Sequence, residues 1–364
     1  MDSKEFLYNY LNAFSPVGQE TEGQKIWADY IRPFADQVKV DAYGTAYGIL
    51  KGNTADQDLS HRYAEPYRVV LEAHCDEIAW IITQIEKDGY VRVKRAGGSD
   101  NMIAASKSVI VHTHKGQKVK AFFGSPAVHV RDKYTEMGPD QHELWLDFGV
   151  DSADKVKELG VEVGCMVTFD DQFSELGDYY VGRSLDNKIG GYIIAEALLR
   201  ISKMNHRLPF DLYVVNSVQE EVGLFGARMI AQTIKADIAL VHDVCHNTNH
   251  PMMNKAKDGD IEGGKGPCVE YTAQNHRKLI KLYRDTAHDL EIPLQLTVGS
   301  YGNDTVSFFL ENTPTAILAT PLKYMHTTVE MAHKDDVENV ITLFVNTLLN
   351  LSVYEIEAIK NPRI

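Results

Sequence analysis

The sequence predicts an α/β protein with a mostly parallel sheet covered by helices on both faces, and with a small barrel-like β module inserted into it. Apolar, β-branched runs at residues 69–73, 210–219 and 238–242 are typical of strands that are buried on both sides. From residue 186 onward, helical patterns alternate with such runs, as they do in parallel sheets. Short strands separated by turns fill residues 78–168 and indicate a small barrel.

The chain begins with two predicted helices, at about residues 3–14 and 20–34, which the breaker Ser15-Pro16-Val17-Gly18 separates. Two strands and a polar surface loop are predicted next, at residues 38–42, 47–51 and 52–66. The apolar strand at 69–73 then leads into His74-Cys75-Asp76.

The β module is predicted to contain strands at residues 79–85, 90–94, 108–113, 119–123 and 144–148. One helix interrupts them, with Ser152 as its N-cap and Gly160 as its stop. We therefore expect a discontinuous α/β domain, residues 1–77 and 169–364, and an inserted β-rich domain, residues 78–168.

Composition excludes several classes of protein. The 364 residues are 44% hydrophobic and 24% charged, as in ordinary soluble globular proteins. The formal net charge of −14 repels phosphate backbones and anionic lipid, so we expect neither a nucleic-acid partner nor a membrane partner.

The compartment is expected to be the cytoplasm. The first twenty residues lack the apolar segment of a secretory signal, and no apolar run is long enough to span a bilayer. The cysteines are widely spaced without a Cys-x-x-Cys pair, which indicates reduced thiols: Cys75, Cys165, Cys245 and Cys268.

Several predicted strands deliver potential metal ligands at their carboxyl ends. His74 and Asp76 follow the run 69–73, and Asp243 follows the run 238–242. His326 follows a third run, 315–320, after the turn at Pro321. In open α/β sheets, sites form at the carboxyl ends of strands, so these side chains are expected to converge. Asp186, which opens a predicted helix, is a further candidate.

The adjacent pair Glu220-Glu221 ends the apolar run 210–219. Neighbouring residues of an extended chain point in opposite directions, so the two carboxylates are expected to do different work. One could bind a metal while the other accepts a proton. Two histidines, three or four carboxylates and a spare glutamate are typical of a two-metal hydrolase.

Five motifs together resemble the M42 family of dinuclear metallo-aminopeptidases, in the family order and across nearly the whole chain. They are Ala73-His74-Cys75-Asp76-Glu77-Ile78, Leu185-Asp186-Asn187-Lys188, Gln219-Glu220-Glu221-Val222-Gly223, His242-Asp243-Val244 and Tyr324-Met325-His326-Thr327-Thr328-Val329-Glu330. The resemblance implies a zinc-peptidase-like fold.

The resemblance also implies a role for each candidate ligand. Asp186 would bridge two divalent ions, zinc or cobalt. His74 and Asp243 would complete one site, and Glu221 and His326 would complete the other.

Two further acids have implied roles outside the ligand set. Glu220 would be the general base, and Asp76 would orient the His74 imidazole. The implied substrates are short peptides that lose their N-terminal residues, and the implied assembly is a homo-oligomer, a dodecamer with enclosed active sites.

Some positions depart from the family pattern. Cys75 stands where methionine is common, Thr327 where serine is frequent, and Tyr301-Gly302-Asn303-Asp304 where Gly-Gly-Thr-Asp is frequent. None of these changes a proposed ligand, but the last lies near the substrate in relatives. The preferred N-terminal residue and the native metal therefore stay open.

Two alternatives remain. A dinuclear amidohydrolase that acts on acylated amino acids could use the same site. A non-catalytic assembly scaffold is the second alternative, although a scaffold is expected to lose Glu220 or a ligand and this chain retains them all.

Overall fold

The structure is a computed structural model that describes residues 1–53, 66–130, 144–204, 207–299 and 302–361. Within these ranges it contains an eleven-stranded sheet and a closed six-stranded barrel. The surface loop predicted at residues 52–66 lies almost entirely outside the described residues.

The helices, in chain order, are α1 (Ser3–Asn12), α2 (Thr21–Ile31), α3 (Asn101–Ala104), α4 (Ala153–Glu158), α5 (Leu185–Ser202), α6 (Phe225–Ile234), α7 (Lys255–Asp258), α8 (Arg277–Asp289), α9 (Thr305–Leu310), α10 (Lys334–Asn350) and α11 (Val353–Lys360). The strands are β1 (Gln37–Val40), β2 (Ala46–Leu50), β3 (Arg68–His74), β4 (Ala79–Ile85), β5 (Val91–Ala96), β6 (Ser108–His112), β7 (Lys118–Phe123), β8 (Trp145–Asp147), β9 (Met166–Phe169), β10 (Ser174–Leu176), β11 (Tyr179–Gly182), β12 (Asp211–Ser217), β13 (Ile238–His246), β14 (Cys268–Glu270), β15 (Gln295–Thr297), β16 (Thr315–Lys323) and β17 (Glu330–His333).

The large sheet is mixed rather than mostly parallel. Its strand order is β1-β2-β12-β3-β13-β16-β17-β11-β10, and β14 pairs with both β15 and β16. The centre β12-β3-β13-β16 and the pair β14–β15 are parallel. The other described pairs of this sheet are antiparallel. The prediction was wrong at the edges, because short turns join β1 to β2 and β10 to β11, and tightly connected strands pair antiparallel.

Alternate residues of the central strands enter two different cores. In β3, Val69 and Leu71 pack in the larger core, to which α1, α2, α5, α8, α10 and α11 contribute. Val70 faces the opposite side, where it packs with residues of α6 and with Phe308 of α9. This alternation follows from the two-residue period of a strand. Helices therefore lie on both faces of the sheet, as predicted.

The inserted β module is a closed barrel in the strand order β4-β5-β8-β7-β6-β9, and all its described pairs are antiparallel. Alternate side chains of its strands fill the interior, among them Trp80, Ile82, Val109, Val111 and Phe123. The predicted barrel is thus present, although β9, which closes it between β4 and β6, was missed. The assignment of residues 78–168 to a separate domain stays a prediction.

The helix predicted inside the module is α4. Ser152 accepts a hydrogen bond from the Lys155 N–H, which satisfies a free donor of the first turn. Gly160 follows the helix with φ +83°, a left-handed conformation that glycine adopts without steric cost. Both predicted end signals are therefore at their expected places.

No single helix of the described ranges is long and apolar enough to cross a membrane. Helices α10 and α11, which meet at a bend of 94°, are together long and apolar enough to cross a membrane by length and composition alone. In this fold α10 buries Val340, Leu343 and Phe344 in the larger core.

Candidate metal centre and active site

The predicted ligands lie together at the carboxyl end of the central strands. His74 is the last residue of β3, Asp243 lies near the end of β13, and His326 follows β16. Neighbouring parallel strands end at the same edge of the sheet, and this brings their terminal residues together. His74 Nε2 is 3.2 Å from Asp186 Oδ1, and His326 Nε2 is 3.2 Å from Asp186 Oδ2.

Asp186 belongs to two groups of three potential ligands. One group is His74, Asp186 and Asp243, and the other is Asp186, Glu221 and His326. Within each group, one ligand atom from every residue lies within 4.8 Å of the others. His326 Nε2 is 3.3 Å from Glu221 Oε1, and His74 Nε2 is 3.9 Å from Asp243 Oδ1. The structure therefore groups the residues as the family resemblance implies.

Glu330 fixes the backbone of two candidate ligands. Its Oε2 accepts a hydrogen bond from the Asp186 N–H at 3.1 Å, and its Oε1 accepts one from the His326 N–H at 2.7 Å. Glu330 is buried, so this bidentate contact is sheltered from water. The sequence placed Glu330 in the last motif without a role, because its contact with Asp186 joins residues that are 144 positions apart.

The backbone around the site is strained. Ser184, Gln219 and His326 have φ values of 59°, 59° and 62°, in the left-handed region that favours glycine. Each such residue costs about 1–3 kcal/mol and persists only where its surroundings fix it. Asp186 itself is not helical, with φ −79° and ψ 107°, although it lies at the start of α5 as predicted.

Glu220 and Glu221 occupy different positions, but strand alternation does not explain them. Strand β12 ends at Ser217, and the left-handed Gln219 turns the chain before both glutamates. Glu220 Oε2 is 3.9 Å from His74 Nε2, whereas Glu221 belongs to the His326 group. The predicted division of labour is compatible with this geometry, but its stated reason was wrong, because a turn rather than a strand presents the pair.

Asp76 holds this turn in place. Its Oδ1 and Oδ2 accept hydrogen bonds from the N–H groups of Glu220 and Glu221, at 3.0 and 3.1 Å. Asp76 Oδ1 is also 3.5 Å from His74 Nδ1, which has no hydrogen-bond partner among the described residues. Asp76 is thus the acid that faces His74 Nδ1, and its role in orienting His74 stays a prediction. Its contact with the turn is a second positioning role that the sequence did not indicate.

The electrostatics of the cluster fit bound cations. Burial acts to lower the pKa of His326, but the carboxylates of Asp186 and Glu221 raise it to about 11. Burial raises the pKa of Glu220 to about 10. Burial also raises the pKa values of neighbouring carboxyl groups, namely Glu72, Glu221, Asp243, Asp304 and Glu330.

This cluster thus contains more buried carboxyl groups than its two histidines can neutralise. Divalent cations would supply the missing positive charge. Imidazole nitrogens and carboxylate oxygens are donors that suit zinc and similar ions.

Two buried acids close to His74, Glu72 and Asp304, contact the same hydroxyl group. The Ser217 hydroxyl lies 2.6 Å from Glu72 Oε1 and 3.0 Å from Asp304 Oδ2. The Ser217 hydroxyl has one hydrogen, so the two carboxyl groups share a single donor. Asp304 precedes α9, as an N-cap would, but its side chain makes no capping bond.

A buried ion cluster supports the opposite side of the site. Glu77 pairs with Arg183 and with Lys188, whose Nζ is 3.3 Å from Glu77 Oε1. Glu77 Oε1 also accepts a hydrogen bond from the Ser15 N–H at 2.7 Å. Burial opposes its charge, but Arg183 and Lys188 lower the pKa of Glu77 to about 2. The cluster joins the end of α1 to the residues that follow β3 and to the start of α5.

A cavity of about 580 Å³ opens onto the candidate centre. Gly98, from the inserted module, forms part of its wall next to His326. A Cβ atom at Gly98 would lie 2.5 Å from His326 Nδ1, so only glycine fits there. The inserted module therefore borders the site, although it supplies none of the five candidate ligands.

The sequence matches the model of the family described as M42 glutamyl aminopeptidase over residues 59–343. The chain belongs to the M42 family. Its relatives in the family include the lysyl aminopeptidase of Pyrococcus furiosus, with 30% identity over 86% of this chain and 87% of that protein.

Two solved structures resemble the whole fold. A TET aminopeptidase from a marine-sediment Thaumarchaeota archaeon is 28% identical, with a TM-score of 0.89 over 98% of this chain and 99% of that one. The TET1 peptidase of Pyrococcus horikoshii, which can assemble into a tetrahedron or a large octahedral shell, is also 28% identical. Its TM-score is 0.81, over 96% of this chain and 100% of that one.

Membership of the M42 family identifies the chain as a metal-dependent peptide hydrolase. The scaffold alternative is thereby set aside for this chain. The structure adds that both candidate ligand groups and Glu220 border one cavity.

Proposed function

We propose that this M42 enzyme removes N-terminal residues from short peptides with the aid of two divalent ions, zinc or cobalt. The shared position of Asp186 carries the proposal. Each of its two carboxylate oxygens lies 3.2 Å from a different histidine, His74 or His326. This geometry supports a role for one carboxylate in two metal sites at once.

Four residues would complete the two sites. His74 and Asp243 would hold one ion, and Glu221 and His326 would hold the other. Bound divalent ions at such a centre acidify water and polarise the scissile carbonyl group.

Glu220 is the proposed general base. It borders the cavity and lies beside His74, but it belongs to neither ligand group. Its carboxylate would accept the proton of the attacking water and deliver it to the leaving amine as the C–N bond breaks. Asp76 would position Glu220 through the backbone N–H groups of the turn.

The charge of the cavity favours substrates with a free amino terminus. Several carboxylates line it, and the described lining residues include no lysine or arginine. A protonated amine is attracted to this environment, whereas an acylated nitrogen carries no charge. Comparing aminoacyl-anilides with N-acylated amino acids separates the aminopeptidase from the deacylase: hydrolysis of the acylated compounds alone would refute the aminopeptidase.

Removal of metal is expected to abolish activity, and added zinc or cobalt is expected to restore it. The reason is that the proposed activating groups other than Glu220 are ligands. Aminoacyl-anilide hydrolysis is measured before and after treatment with a chelator, and metal content is followed by elemental analysis. Full peptidase activity in a metal-free preparation would overturn the proposed mechanism.

We also infer that the chain assembles into a homo-oligomer, in line with the assembly named for the P. horikoshii relative. Most apolar side chains of the barrel are buried in its own core, so this core does not need completion by a partner. Phe122 and Met102 remain 51% and 68% exposed on the module, and Leu310 is 62% exposed on α9. Such residues are candidates for a subunit interface.

Light scattering at working concentration is expected to give a mass near twelve times the 40.9 kDa of one chain. Activity measured on the same fractions links the assembly to catalysis. A fully active species of single-chain mass would refute the assembly, while the proposed two-metal chemistry would be unaffected.

A further inference from the structure

The cavity extends beyond the candidate metal centre to a buried glutamate. Glu270 is the last residue of β14 and lines the cavity. The wall also includes the apolar side chains of Ile261 and Val298 and the neutral side chain of Thr297. The lining therefore combines the carboxylates of the candidate centre, Asp258 and Glu270 with uncharged side chains.

Glu270 has no counter-charge in the described structure. The residue is 5% exposed, and its Oε2 has no hydrogen-bond partner among the described residues. Two other buried acids have partners for their charge: Glu77 pairs with Arg183, and Glu330 accepts two backbone N–H groups. Glu72 and Asp304 each keep one unpaired oxygen among the described residues, but both also lie within hydrogen-bond distance of the Ser217 hydroxyl. An unpaired buried carboxylate is costly, and burial raises the pKa of Glu270 to about 7. A cationic ligand beside it would compensate the charged form.

The backbone leaves room for the Glu270 carboxylate. A Cβ atom at Gly299 would lie 1.6 Å from Glu270 Oε2, so a larger residue there would displace the carboxylate. Gly299 also lines the cavity. The Glu270 carboxylate can therefore occupy its position only because residue 299 is glycine.

We propose that Glu270 determines the substrate specificity of this cavity by binding the positively charged end of an N-terminal lysine or arginine side chain. The inference rests on the proposed aminopeptidase function. The alkyl stem of such a side chain would pass Ile261 and Val298, and its cation would pair with Glu270. An acidic N-terminal side chain would be repelled by the same carboxylate.

The test uses lysyl-anilide and norleucyl-anilide, which share an unbranched alkyl stem and differ in the terminal amine. For the metal-loaded protein, kcat/KM is expected to be at least about tenfold higher for the lysyl substrate. The reason is that the lysyl ammonium can form a charged hydrogen bond with Glu270, whereas the norleucyl side chain cannot. Glu270→Gln is expected to lower kcat/KM roughly tenfold to hundredfold for lysyl-anilide and to leave norleucyl-anilide nearly unchanged. The unchanged substrate also shows that the variant is folded.

Glu262→Gln is the matched control. Glu262 lies eight residues before Glu270 and is half-buried, but it is not among the residues that line the cavity. Both anilides are expected to be hydrolysed as by the unmodified protein. An equal loss of lysyl preference in this control would point to general charge rather than to Glu270.

Binding supplies a readout apart from turnover. Calorimetry is expected to show tighter binding of L-lysine than of L-norleucine, and Glu270→Gln is expected to remove the difference. Equal binding of the two amino acids by the unmodified protein would overturn the assignment, as would an equal loss of both anilide activities in Glu270→Gln. Metal-dependent turnover without a lysyl preference refutes this inference alone, whereas absence of turnover on every anilide refutes the proposed function.

Discussion

Replacement of Glu220 by glutamine is expected to lower kcat by about 10²–10⁴-fold, the range for a lost general base, and to leave the metal content unchanged. Glu220 lies 3.9 Å from His74 Nε2, but it is outside both ligand groups. Glutamine preserves the shape of the side chain and cannot accept the proton of water. Steady-state kinetics and elemental analysis of the same preparation measure the two effects.

Glu221→Gln is the neighbouring control. Its carboxylate lies 3.3 Å from His326 Nε2 within a ligand group, so its neutralisation is expected to reduce metal occupancy. Asp76 accepts hydrogen bonds from the N–H groups of both residues, and neither substitution removes these backbone contacts. If Glu220→Gln lost metal and Glu221→Gln kept it, the two roles would have to be exchanged.

Asp186→Asn is expected to remove both ions and to lower activity by more than about 10²-fold. This loss would exceed the loss of about 10–100-fold that is usual when a residue that only supports a metal ligand is replaced. The reason is that Asp186 alone is common to the two groups. Elemental analysis after dialysis measures the number of ions per chain, and Glu330 should still fix the backbone of residue 186.

Asp243→Asn provides the comparison for Asp186→Asn. Asp243 belongs to the His74 group only, so this variant is expected to keep the ion of the Glu221–His326 group. A stoichiometry of two ions per chain in Asp186→Asn would show that the carboxylate does not bridge. Equal losses in the two variants would show that the sites fill only together.

The sequence identified the candidate ligands because each followed a recognisable local pattern. Apolar runs predicted the strands that end at His74 and near Asp243, and parallel strands end at a common edge. The barrel was predictable because period-two alternation and turn residues are local signals. By contrast, β9 was missed, and its place in the barrel depends on its pairing with β4 and β6, strands that are distant in sequence.

The sequence by itself determined which residues could bind metal and which strands would carry them, because these properties depend on residue type and short-range pattern. Only the tertiary structure decided that Glu330 holds the backbone of Asp186 and His326, and that Asp76 holds the turn that carries Glu220 and Glu221. It also decided the antiparallel edges of the sheet and the unpaired state of Glu270 among the described residues. The physical reason is that hydrogen bonds, charge balance and burial depend on distances between residues far apart in the chain, which no local pattern specifies.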